Sequence, residues 1–326
     1  MAIDRTLMLS LDILRVNAYT RAEIILLLKR MEKELLAQVA LGVTDWRRSR
    51  INRQLAEASA IISIAYGEAA DVAMDTAAGI YQVAATDAAQ TLAYGVNPAP
   101  VLPPLAMMET IAGQSIVLGA SQSAWWAKQS DDVAFRFAAA VRQGLVASET
   151  NQQIIRRVRA EMEITRANAA ALVQTSIQTV ANDARLTTFR DNADIIKGLR
   201  WLATLDVHTC PVCGPRDGMT WTLEGKPLNA GFSFSNPPIH FNCRCVLIAL
   251  TRFSGLGDGQ RASSSGPVSD KINFSDWLET KGKAFQDDVL GPGRAGMYRA
   301  GKITLNDLVT STNRPLTLAQ LREKYA

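Results

Sequence analysis

The chain has 326 residues, 48 % of them hydrophobic and 20 % charged, with a formal net charge of +4. That length supports two or three domains with a real core, and that composition excludes a disordered or fibrous chain. The charge excess is mild, so charge alone gives little support for a nucleic-acid-binding role.

The chain up to Ile195 reads as helical. Between Met1 and Thr20, the charges Asp4, Arg5, Asp12 and Arg15 break any apolar signal-peptide core, so a cytoplasmic product is expected. Thr20 with Glu23 three residues on has the form of a capping box. Ile24, Leu27, Leu28, Met31, Leu35 and Leu36 follow at helical spacing. Gly42, Thr44 and Asp45 predict a break. Ile51 to Tyr94 reads as a long alanine-rich helix that packs closely on its neighbours, interrupted at Gly67 and Gly79. Gly95 to Pro104, with Asn-Pro, Ala-Pro and Pro-Pro steps, reads as a loop.

Helices resume near Pro104 and run, with breaks, to Gln143. The uncharged stretch Thr110 to Ala127 holds Gly113, Gln114, Gly119 and Gln122, which is too polar for a membrane span, so no membrane anchor is expected. Ser148-Glu149-Thr150 opens a helix from Gln152 to Met162, and Thr165 opens another to Phe189. Val173, Ile177, Val180 and Ala184 mark the apolar stripe of the latter. Two basic runs lie in this region: Arg47, Arg48, Arg50 and Arg53, and Arg156, Arg157 and Arg159. They are candidate contacts to DNA phosphates, against the plainer reading of solvated helix faces.

All four cysteines and both histidines fall between Leu205 and Val246. The order is His208, Cys210-Pro-Val-Cys213-Gly214, then His240-Phe-Asn-Cys243-Arg-Cys245. Thiolate and imidazole are the donors zinc prefers, four at a time around a tetrahedron. Five candidates therefore compete for four places on one structural zinc ion: Cys210, Cys213, His240, Cys243 and Cys245. Cys243 and Cys245 project to the same face of an extended segment, which favours using both, with His240 behind them or in place of one. His208 is a weaker candidate. Disulfides are the blander reading, and a reducing cytosol disfavours them. Gly198 to Leu205 and Val246 to Leu250 read as strands that enter and leave this knuckle and pair with each other. Asp217-Gly218 is a turn signal leading into a third strand, Met219 to Leu223.

Trp201, Asp206, Cys210, Cys213, Asp217, Gly218, Pro238, His240, Cys243, Arg244 and Cys245 resemble the signature of the phage Mu F-like minor head proteins, the phage head morphogenesis family. Upstream, Gln174-Thr175-Ser176 and Ala181-Asn182 stand where that family has an Arg-Thr-Glu step and an Ala-Asn pair, so the two charged residues are replaced here. The resemblance covers about Glu149 to Leu250. It implies a structural, non-enzymatic minor capsid component. Such a protein would sit in the virion head near the portal and act in head assembly or genome delivery. Its implied partners are the portal protein and the capsid or scaffold proteins; non-specific contact to genomic DNA is expected only from the two basic runs. The alternatives are a zinc-dependent DNA-binding protein and a His-Asn-His-type nuclease. The nuclease needs a general-base histidine beyond the ligands, and only His208 and His240 exist.

Ser254 to Asp270 is rich in glycine and serine and reads as part of a flexible linker. Beyond it a small helical tail is expected: a helix from Ser275 to Leu290, turns at Met297–Ala300 and Leu305–Thr310, and a last helix Leu318–Lys324 capped by Thr317. The expected fold class is mainly α with a small zinc-stapled antiparallel β element (α+β). Its parts are a helical body, residues 1–195, a Cys/His knuckle, residues 196–251, a linker, residues 252–272, and a C-terminal module, residues 273–326.

Overall fold

A computed structural model describes residues 2–41, 48–93, 100–251, 259–310 and 314–325. It is mainly helical, at 63 % helix, with small antiparallel sheets. Three long helices dominate: α1 (Ala2–Ala40), α2 (Arg48–Leu92) and α5 (Asn151–Asp191). Between α2 and α5 lie α3 (Leu105–Gln114), the two-residue strands β1 (Ile116–Val117) and β2 (Ala120–Ser121), and α4 (Gln122–Val146).

The bundle core follows from helical periodicity. On α1, Ile13, Ile24, Leu28, Met31, Leu35 and Val39 are buried along one stripe. On α2 the buried positions are mostly alanine: Ala58, Ala65, Ala69, Ala73, Ala77, Ala84 and Ala88, with Ile62 and Tyr81 between them. A stripe of methyl groups lets neighbouring backbones approach closely, while Trp126 and Phe137 from α4 fill the wider gaps.

The long helices are more continuous than local signals suggest. Thr20 lies inside α1 and caps nothing; its hydroxyl donates to the Val16 carbonyl one turn back. Gly67 and Gly79 do not interrupt α2, whose tertiary packing outweighs the roughly 1 kcal/mol helical cost of each glycine. Thr165 likewise donates to the Glu161 carbonyl within an unbroken α5. The true start of α5 is Thr150, in a capping box with Gln153. The break expected at Gly42, Thr44 and Asp45 lies outside the described residues.

The last third of the chain begins with a four-stranded antiparallel sheet of order β5-β4-β3-β6. Its strands are β3 (Ile196–Leu202), β4 (Thr220–Trp221), β5 (Pro227–Asn229) and β6 (Val246–Thr251). The strands entering and leaving the knuckle pair as expected, with Trp201 opposite Leu247. At the Asp217-Gly218 turn Gly218 has φ +84°, which glycine adopts without strain, and its N–H donates to the Trp201 carbonyl at 2.9 Å.

The stretch read as a linker is only partly described. Residues 252–258 lie outside the described residues, but the rest is tied down. Short strands β7 (Gln260–Arg261) and β8 (Val268–Ser269) pair, and the buried Arg261 guanidinium reaches into the knuckle. Polar composition misleads here because the stretch is fixed largely by polar contacts: the buried Arg261–Asp217 pair, the Ser264 N–H on the Leu205 carbonyl and Arg200 on the Asp270 carbonyl. Helices α6 (Phe274–Glu279), α7 (Lys283–Leu290), α8 (Pro292–Arg299) and α9 (Leu318–Lys324) follow, with a 3₁₀ turn at Leu305–Leu308. A single helix is expected from the sequence where α6 and α7 stand as two. Thr317 caps α9 through the Gln320 N–H. The tail shares its core with the knuckle: Leu205 packs with Phe274, Trp277, Leu278, Leu305 and Leu321. Among the described residues no helix is long and apolar enough to cross a membrane.

Candidate metal centre

The two halves of the knuckle meet over the C-terminal half of α5. The Cys210–Cys213 turn is closed by N–H groups of Cys213 and Gly214 donating to the Cys210 carbonyl at 3.1 and 3.0 Å. The second half turns through Asn242, whose φ of 62° is left-handed, a conformation asparagine tolerates. The Asn242 N–H donates to the Thr175 hydroxyl at 3.0 Å. The Cys245 carbonyl accepts from both Gln178 Nε2 and Asn182 Nδ2 at 3.0 Å. The helix therefore holds the second half of the knuckle by its backbone, leaving the sulfurs free to converge.

They do converge. Cys210, Cys213 and His240 form one group of mutually close donor atoms, and Cys213, Cys243 and Cys245 form another. His240 Nε2 lies 3.0 Å from Cys210 Sγ and 3.1 Å from Cys213 Sγ. Cys213 Sγ is 3.7 Å from Cys243 Sγ, matching the edge of a tetrahedron with metal–sulfur bonds of about 2.3 Å. His240 Nδ1–H donates to the Phe241 carbonyl at 2.7 Å, so Nε2 is the nitrogen turned to the sulfurs. Cys213, Cys243 and Cys245 are buried and Cys210 is half-buried, while His208 is exposed and stands apart from both groups.

The cluster is electrostatically primed. The Cys210 thiol falls to about 4 through its hydrogen bond with Cys213, against burial and with help from His240. Burial pulls His240 down, but hydrogen bonds with Cys210 and Cys243 carry it up to about 11. Cys243 is lowered, chiefly by its hydrogen bond with Cys213, whereas Cys213 and Cys245 are raised. A divalent ion held here would need His240 unprotonated at Nε2 and its thiol ligands deprotonated, so its binding would release protons.

Two arginines flank the sulfurs. Arg216, fully buried, lies 5.5 Å from the Trp201 ring centre and 5.0 Å from that of Phe232, and donates to the Ser233 carbonyl. Arg244 holds Asp206 through both carboxylate oxygens at 2.5 and 2.7 Å. Asp217 is taken by Arg261 and by the Ala203 N–H. Sequence reasoning alone places neither Arg216 nor Arg261 at the site, nor Gln178; none stands in an apolar run that would give a local sign of its burial.

The candidate phosphate contacts are scattered. Arg47 lies outside the described residues, and Arg48 and Arg50 sit in α2 with side chains outside them as well. Arg53, Arg156 and Arg159 are exposed or nearly so. Arg157 is engaged by Glu149, to which it donates through two nitrogens, and by Gln143.

Fold and site together define a helical-bundle protein carrying a Cys/His-closed β knuckle on its last long helix. Residues 136–248 match the model of the family described as Phage Mu protein F like protein. That match spans about a third of the chain, and over it the protein is similar to the phage Mu F-like proteins. No curated protein and no solved structure matches the chain.

Proposed function

We propose that this protein is a structural minor component of a tailed-phage head, placed near the portal and acting in head assembly or genome delivery. The observation that carries the reading is the family match over residues 136–248, which takes in α5 and the knuckle it anchors. Its partners on this reading are other head proteins, the portal first among them. Its setting is the host cytoplasm during assembly and then the virion.

The knuckle's part is to hold one structural zinc ion, which supplies cross-linking energy to a sheet too small to support itself. Cys210, Cys213, His240 and Cys243 are the ligands we favour, with Cys245 remaining a buried thiol. Three thiolates and one divalent ion leave a single negative charge. Arg216 balances it, since Arg244 is already neutralised by Asp206. A structural rather than catalytic role is favoured because a hydrolytic centre needs a free general base. Asp206 and Asp217, the carboxylates closest in sequence to Cys210 and Cys213, are both locked in ion pairs.

The test is co-sedimentation of the full chain with the portal oligomer of its own phage, at moderate and high salt. Binding at a few copies per ring supports the reading. Failure at both salts, with the fold intact, removes the portal role.

A further inference from the structure

Helices α1 and α5 enclose a cleft of about 420 Å³ lined by Lys29, Glu32, Lys33, Leu36, Arg159 and Arg166. Four of these six side chains are cationic. The single lining carboxylate, Glu32, is taken by Arg166 in a half-buried ion pair. Of the acidic groups beside the cleft residues in sequence, Glu34 next to Lys33 and Glu163 one turn beyond Arg159 are exposed, and Glu161 is paired with Arg136. Lys29, Lys33 and Arg159 are exposed on the two rims, and Leu36 forms part of the floor.

We propose that this cleft binds the phosphate backbone of nucleic acid without reading its sequence. Lys29 and Lys33 are about 6 Å apart along α1, and Arg159 and Arg166 about 10.5 Å apart along α5, at 1.5 Å per residue. Those spans cover roughly two to three steps of a strand that rises 3.4 Å per phosphate. The lining holds no aromatic ring for base stacking and no amide for pairing with base edges, so it offers phosphate contacts alone. Nucleic acid is favoured over an acidic peptide because the cations are spread along two helices, matching a continuous line of charge rather than one carboxylate.

The site is assembled from distant sequence. Arg156, Arg157 and Arg159 look like one cluster, but about 100° of helical rotation per residue fans them apart. Arg157 turns to Glu149, and of the three only Arg159 lines the cleft, joining two lysines more than a hundred residues upstream.

The experiment is fluorescence anisotropy of a short labelled DNA duplex of random sequence titrated with the full chain, between about 50 and 200 mM salt. The Lys33→Glu, Arg159→Glu variant is expected to bind at least about tenfold more weakly and to flatten the salt slope by roughly one unit per lost phosphate contact. Lys197→Glu with Lys302→Glu makes the same change in net charge on exposed residues of the knuckle and tail, and should leave affinity within about twofold. Arg166 and Glu32 stay untouched, so their ion pair survives, and an unchanged circular dichroism spectrum confirms the fold. The proposal is overturned if the wild-type chain does not bind at the lower salt, or if the two variants weaken binding equally. Competition by polyglutamate as effective as unlabelled duplex would also overturn it, showing an acidic-peptide site. Each outcome is independent of portal binding.

Discussion

Removing the Arg261 side chain should unseat the knuckle from the segment that follows it. Arg261 and Asp217 have side-chain exposures of 1 % and 0 %. Arg261 Nη1 donates to Asp217 Oδ2 at 2.8 Å and to the Ile272 carbonyl at 3.1 Å, and Nη2 donates to Asp217 Oδ1 and the Ala203 carbonyl. Arg261→Met fills similar volume but strands the buried Asp217 charge, leaving it the Ala203 N–H and the nearby Arg200 guanidinium. Breaking one partner of a buried pair costs about 3–5 kcal/mol. Adding Asp217→Asn removes the stranded charge while keeping an oxygen for Ala203, so the double variant should recover about 1–3 kcal/mol. Urea unfolding followed by tryptophan fluorescence reads both quantities, provided the m-value is unchanged. A cost below about 1 kcal/mol for Arg261→Met, or no recovery in the double variant, would refute the idea that this pair fastens the two segments.

Protein purified without chelator should carry about one zinc per chain by elemental analysis. Cys213→Ser should lose it and melt lower, and Cys245→Ser should retain it; zinc-free wild-type protein that melts normally would sink the metal reading. Gly214→Ala places a methyl group 2.8 Å from Phe274 Cδ1 and should destabilise by about 1–3 kcal/mol, whereas unchanged thermal unfolding would mean that the ring moves aside freely. Burial raises the Asp183 carboxyl above its ordinary 3.8, despite hydrogen bonds from Ser115 and Asn236. The folded chain then keeps a proton that the unfolded chain releases, so this group's contribution to stability falls as pH rises from about 4 through the folded value. Asp183→Asn should remove that decline, and a pH–stability curve identical to wild type would contradict it.

Much of the molecule is legible along the chain. The apolar stripe of α1 from Ile24 to Val39, the Thr317 cap and the β3–β6 pairing all rest on local periodicity or turn chemistry. The five metal-ligand candidates stand out because thiols and imidazoles gathered in one short window suit metal binding better than any packing role. What misleads are local stop signals. Thr165 suggests a helix start, yet it lies inside a 41-residue helix whose burial on several sides overrides it. Likewise Thr175, Gln178, Thr179 and Asn182 have the polarity of a solvated face, whereas all four are buried. Thr175, Gln178 and Asn182 serve as hydrogen-bond anchors for the knuckle. Periodicity reports that a face is polar and is silent about whether water or a backbone carbonyl satisfies it.

The sequence by itself determined the helical character of the body and the chemistry of the knuckle, because both are written in short-range spacing. Only the tertiary structure decided where the charges go. It sent Arg261 to Asp217 across 44 residues and Arg244 to Asp206 across 38, and it joined Lys29 and Lys33 to Arg159 and Arg166. Such pairings depend on which helices and strands are neighbours. That is set by the packing of whole elements, and a charged residue carries no mark of the partner it will meet.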